Sequence, residues 1–191
     1  MARWRLWRRR HDERGAALVE TAILIPVVIL LTFGMIEFSS AYQSSSVASA
    51  AARSGARVAS AEALVSTYAL DAAAAAATAL HTIPSDEPVE MWVYKANTST
   101  GYPSSGNFTT CSTNCIKYTW LPGTRLFDVA NPSGGGWPSS TQNACNQNQW
   151  DSVGVYVKLN HKFLTRLFGA NITLADHAVF RLEPAPTQLC P

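Results

Sequence analysis

Three patterns of polar and apolar positions divide the chain. From Ala16 to Ile36 the sequence is apolar with few interruptions. That is roughly 20 residues, which at ~1.5 Å per residue cover the ~30 Å hydrocarbon core of a bilayer. Two residues break the pattern, Glu20 one turn in and Pro26 near the middle. From Phe38 onward Ala, Ser and Gly dominate, and no proline occurs between Pro26 and Pro84. Alanine is the best helix former, so the apolar helix is expected to continue to about His81, with a bend near Ser60. Within it Ala48, Ala52, Ala56 and Ser60 recur every four residues and make a smooth stripe. That stripe suits either a neighbouring subunit's helix or, slightly better, the chain's own globular part.

Pro84 and Pro88 stop the helix, with Ser85, Asp86 and Glu87 as turn material between them. Period-two alternation then takes over. Val89–Tyr94 and Ile116–Trp120 read as strands, Val153, Val155, Val157 and Leu159 give the strictest alternation, and a last strand runs from about Ile172 to Leu182. Phe163, Leu164, Leu167 and Phe168 suggest a short amphipathic turn or helix between the last two. Polar loops fill the rest, including Asn131–Asn148 with Gly134, Gly135 and Gly136. Helix first and strands after predict an α+β fold in which a long N-terminal helix, membrane-spanning in its first half, packs against a small antiparallel sheet.

The length of 191 residues suits one small domain plus an anchor. The net charge of +2 says little, but its distribution says more: Arg3, Arg5, Arg8, Arg9, Arg10 and Arg14 crowd the first residues, against Asp12 and Glu13. By the positive-inside rule that end stays cytoplasmic and the larger part is exported. The expected division is a basic leader over 1–15, a transmembrane helix over 16–37, an extracytoplasmic helical continuation over 38–83 and a β-rich domain over 84–191. Trp4 and Trp7 beside the arginines also suit nucleic acid, but a membrane span follows at once, so no nucleic-acid partner is expected. A cleaved secretory signal is the other reading of this end. Ala48-Ser49-Ala50 fits its small-x-small rule, yet lies well beyond the apolar run.

The run Arg14-Gly15-Ala16-Ala17-Leu18-Val19-Glu20, the apolar core with Pro26, the exit Phe33-Gly34-Met35-Ile36-Glu37-Phe38 and the stretch Ala51-Ala52-Arg53-Ser54-Gly55-Ala56-Arg57 together resemble the TadE-like proteins, minor pilin-like components of tight-adherence (Flp-type) pilus systems. The resemblance is close over about the first 60 residues. It implies cleavage between Gly15 and Ala16 by a membrane prepilin peptidase, location in the inner (cytoplasmic) membrane, and other minor pilin-like proteins and the major Flp-type pilin as partners. Glu20 would then be the fifth residue of the mature chain. A carboxylate inside a bilayer is costly unless paired, and cleavage exposes an amine at Ala16 that this chain or a neighbour can present to it. Helix register is the role this assigns to Glu20; in an uncut anchor it would snorkel to the headgroups instead.

Cys111, Cys115, Cys145 and Cys190 all follow the span. An even number in an exported domain predicts two disulfides, with three possible pairings. Zinc is the weaker alternative, since only one closely spaced pair occurs. His81 is expected at a helix end, His161 in a turn beside Lys162 and His177 in a strand. None joins a nucleophile, metal or phosphate-loop motif, so no catalytic residue, metal or cofactor is assigned. Asp86 and Glu87 read as a solvated turn. Asp176 shares the inner face of the last strand, as a buried acid or at a surface edge. A tethered domain binding an envelope sugar or protein is the competing function, with Trp137, Tyr102 and Phe108 as exposed stacking rings.

Overall fold

The computed structural model describes residues 13–146, 149–166 and 168–190. Most of the basic leader, with Trp4 and Trp7, and Leu167 lie outside the described residues.

The architecture is α+β. Helix α1, Glu13–Ala61, is continuous through Pro26; at ~1.5 Å per residue it is about 74 Å long. Its apolar first half is exposed on every side, from Leu18 at 71% to Leu31 at 59%, and only from Gly34 onward does one face become buried. A continuous apolar helix that the rest of the chain leaves uncovered has the character of a single-pass membrane anchor.

The expected bend near Ser60 is a full reversal. The chain turns over residues 62–67 and returns as α2, Tyr68–Leu80, antiparallel to α1: Gly55 lies by Ala72, and Ser54 Oγ donates to Ala75 O at 3.4 Å. Leu64 takes the left-handed conformation, φ 66°, with its N–H donating to Gln142 Oε1 at 2.9 Å. A branched, bulky residue adopts that conformation only where its surroundings hold it. Tyr68 adds a second tie, its hydroxyl donating to Trp137 O at 2.6 Å. Burial pushes its phenol above the usual tyrosine range.

The strands are β1 Pro88–Ala96, β2 Cys115–Leu121, β3 Leu126–Phe127, β4 Ser133–Gly136, β5 Ser152–Lys162 and β6 Asn171–Arg181. They form one antiparallel sheet in the order β3-β2-β1-β5-β6, with β4 on the same edge of β2 as β3. The four strands expected from alternation are present. The two-residue β3 and the glycine-bearing β4, which lay in expected loops, are additional. Of the pattern at Phe163–Phe168, the described residues form bends and a turn and no helix, the first of the two expected alternatives.

One face of the sheet, with Met91, Val93, Val153, Val155, Val157 and Leu159, packs on α1 and α2. The alanine stripe is therefore the seat of the chain's own domain: Ala48, Ala52 and Ala56 are buried, with Ala51 and Ala59 beside them. A Cβ on Gly55 would meet Ala72 O at 3.1 Å, Met91 Cε at 3.2 Å and Val155 Cγ1 at 3.3 Å. Small residues in this stretch let α2 and the sheet approach together, while Arg53 and Arg57 point out.

The opposite face carries Trp92, Tyr94 and Tyr156, covered by the long β1–β2 connection. Phe108 stacks on Tyr156 at 4.2 Å, and Tyr102 on His177 at 5.6 Å. Trp137 is buried at 1% exposure, so it is no exposed stacking platform, and the loop aromatics close the domain's own surface. Disulfides join Cys111 to Cys115 and Cys145 to Cys190. Bonded thiols leave the zinc alternative without ligands.

Candidate functional site

Where α1 emerges from its apolar half, residues from four segments converge. Glu37, Ser40 and Ser44 share one helical face by their spacing of three and four. Glu87 enters from the turn before β1, and His161 from near the end of β5. Ser44 Oγ donates to Glu87 Oε2 at 2.8 Å and lies 3.1 Å from His161 Nδ1, which meets Glu87 Oε1 at 2.9 Å. Ser40 Oγ lies 3.3 Å from His161 Nε2 and also donates to Glu37 O at 3.0 Å. An ionised carboxylate only accepts, so Nδ1 carries its proton toward Glu87.

One turn nearer the apolar half, the fully buried Glu37 carboxylate holds the β5–β6 turn. Its Oε2 accepts from Leu164 N–H at 2.9 Å, and its Oε1 from the Thr165 hydroxyl at 2.6 Å and from Thr165 N–H. A cleft of about 740 Å³ opens beside the network, lined by Ser40, Thr82, Arg166 and Asn171 among others.

Two expectations are corrected here. Asp86 and Glu87 are not one solvated pair: the Asp86 side chain is 53% exposed against Lys162, whose ammonium holds its carboxyl below the usual range, whereas Glu87 is buried. His161 is a buried strand residue rather than a turn residue. His81, at the end of α2, faces Arg125 O at 3.0 Å, and His177 lies in β6 as expected. Asp176 is half-buried on the edge strand β6, facing Tyr42, Ser46, Ser49 and Arg53 of α1.

Ser40, His161 and Glu87 have the connectivity of a serine–histidine–carboxylate relay. Acyl transfer also needs a pair of free N–H donors for the oxyanion, and the described amides that face this network are already bonded. Ser40 lies mid-helix, where amides bond to carbonyls four residues back, and the nearby amides of Leu164 and Thr165 are taken by Glu37. What this arrangement does is lock helix, turn and sheet together. Among the described residues no three His, Cys, Asp or Glu side chains are grouped to hold a metal.

At the other end of the span, Gly15 and Ala16 lie in the first turns of α1, and a Cβ on Gly15 would meet nothing within 4 Å. Glu20 is exposed, and among the described residues it has no hydrogen-bond or ion-pair partner. The site therefore has two parts, a satisfied polar joint at the exit of the span and a lone carboxylate near its start.

An uncovered apolar helix that runs on into a small α+β domain has the build of a membrane-anchored α+β protein. Residues 15–57 match the family model described as TadE-like protein. The chain is thus similar to TadE-like proteins over that segment, which together with its apolar helix supports a membrane protein associated with a Tad-type pilus. The match ends inside α1, before α2 and the sheet. No curated protein matches the chain, and no solved structure does.

Proposed function

We propose that this chain is a non-enzymatic, pilin-like subunit that is cut between Gly15 and Ala16 by a prepilin peptidase and takes part in assembling a tight-adherence pilus. Its arginine-rich end is cytoplasmic and its sheet domain extracytoplasmic. After cleavage the α-amino group of Ala16 lies about one helical turn from Glu20, and in an assembly the amine of a neighbouring subunit reaches the same carboxylate. A buried acid facing a buried amine sets the axial stagger between packed helices, because the unpaired alternative is strongly unfavourable. Minor pilin-like proteins and the Flp-type pilin are the partners this reading implies.

The observation that carries it is Glu20 itself, a carboxylate on the bare apolar face of α1, inside the TadE-like segment and without a partner among the described residues. Gly15 fits this reading, since among the described residues a Cβ there would meet nothing within 4 Å and the fold gives no steric reason for a glycine. The test is the mature N-terminus in cells with an active peptidase, read by mass spectrometry. A terminus at Ala16 is expected, and an intact Met1 would overturn the reading. Glu20→Ala should still insert but should no longer enter the pilus; unchanged assembly would remove the role given to the carboxylate.

A further inference from the structure

The turn between β5 and β6, described at residues 163–166 and 168–170, lies against α1 and beside the Thr82–Glu87 turn. Glu37 fixes its height through the amides of Leu164 and Thr165. From there the turn reaches back along the helix toward the apolar half. The Phe168 ring lies 3.7 Å from where a Cβ on Gly34 would be and 5.4 Å from the centre of the Phe38 ring. With Leu30, Leu31 and Met35 it borders an apolar hollow of about 540 Å³. Those residues belong to the stretch of α1 that has the composition of a membrane span.

The exposure of the turn is unusual for this domain. Leu164 is 78% exposed, more than Leu18 at 71% or any other large apolar side chain named from the span, and Phe168 is 48% exposed. Neither packs into the core, although the same domain buries Trp137, Leu80, Met91 and Leu182. Cationic groups flank the pair: Arg166, in the left-handed conformation with φ 60°, and Lys162 at the end of β5, whose ammonium also pairs with Asp86. Two large apolar side chains at the level where a span ends, with basic residues beside them, match the surface of a bilayer, where acyl chains meet phosphates.

We propose that the β5–β6 turn is a second membrane contact: Leu164 and Phe168 enter the leaflet from which the sheet domain emerges, beside α1, and Arg166 lies at its lipid phosphates. The inference rests on α1 crossing the bilayer. It follows from continuity, because the Glu37 clamp holds the turn at the same depth as the end of the span. A lipid surface covers both side chains, whereas water would leave Leu164 as the most exposed large apolar side chain of the domain. The domain is then held to the membrane at two points, which fixes its rotation about the helix axis.

The test places a photoreactive benzoylphenylalanine in the full chain, one position at a time, at Ile29, Leu164, Phe168 or Val65. Each variant is reconstituted in phosphatidylcholine and phosphatidylglycerol vesicles, irradiated, and analysed for lipid adducts by mass spectrometry. Val65 is the outer control: it lies beyond Ala61, and the helix from Glu37 to Ala61 is about 36 Å long. Adducts are expected at 29, 164 and 168, and none at 65. Adducts at 29 with none at 164 or 168 would overturn the proposal while leaving the anchor intact, and crosslinks from 164 or 168 to a second copy would assign the surface to a neighbouring subunit. Absence of adducts at 29 would remove the anchor and this proposal with it. Because the Leu164 side chain is largely free of the fold, replacing it does not confound the result with misfolding.

Discussion

Glu87→Ala is the sharpest perturbation of the joint at the exit of the span. The Glu87 and His161 side chains are each 4% exposed, and the carboxylate accepts from both Ser44 and His161. Removing it strands two donors that are almost fully buried. Breaking a buried pair of this kind costs about 3–5 kcal/mol, and an unsatisfied buried donor alone about 1–3 kcal/mol. Ser44 and His161, 3.1 Å apart, can partly serve each other, which puts the expected loss near the lower bound, about 3 kcal/mol. For a chain of this size that is roughly 6–12 °C in Tm.

The neighbouring Asp86→Ala is the internal control. Its partner Lys162 is as exposed as it is, with side chains at 55% and 53%, and such a pair is worth about 0–1 kcal/mol. Unfolding of the full chain in micelles, followed by near-ultraviolet circular dichroism, should therefore separate two adjacent acids by about 2 kcal/mol or more. Ser44→Ala and Glu87→Ala should also fail to add, since they share one network. Equal losses at 86 and 87, or strict additivity of 44 and 87, would refute the account of the joint.

Three other perturbations test separate parts of the fold. Gly154→Ala should destabilise by about 1–3 kcal/mol in a denaturant titration, because a Cβ there falls 2.2 Å from Tyr94 Cζ and the ring is pinned by its hydroxyl donating to Gly101 O. Glu62→Gln should raise stability at neutral pH. Burial, and then the nearby Asp71, hold the Glu62 carboxyl above its ordinary value, so its contribution is full below the unfolded value and is lost as pH rises through the folded one. The difference between variant and parent in melting experiments should therefore close as the solution is acidified. Removing the Cys145–Cys190 bridge should cost about 4 kcal/mol against about 2 for Cys111–Cys115, because the loops closed span 45 and 4 residues and denatured-state entropy grows with loop length.

Local periodicity carried most of the architecture. Val153, Val155, Val157 and Leu159 alternate because one side of β5 meets helices, and the small residues at Ala51–Ala56 are small because α2 and the sheet press on them. What local pattern could not show was decided at long range. The reversal after Ala61 contains no Gly or Pro and is held by Gln142, 78 residues from Leu64. Phe163–Phe168 has helical spacing but is drawn into a turn by Glu37, 127 residues before Leu164. Glu37 was visible at the exit of the apolar run, and its spacing with Ser40 and Ser44 was the available signal of a polar face. Glu87 and His161 gave none, since each acquires its meaning from a residue 74 positions away.

The two acids of α1 bear on function through their difference. Glu20 and Glu37 lie 17 residues apart on one unbroken helix, about 26 Å, and the chain treats them oppositely. Around Glu37 it supplies two amides and a hydroxyl from a distant turn, so that carboxylate is complete within the monomer. Around Glu20 the described residues supply nothing, although an unpaired carboxylate in an apolar layer is the costlier of the two. Among the described residues the acid at the exit is satisfied and the one in the span is open, which is the contrast the proposed role of Glu20 rests on. On the proposed reading the donor comes from the processed terminus or from another chain, and the continuous helix between the acids carries the resulting register from the span toward the sheet domain.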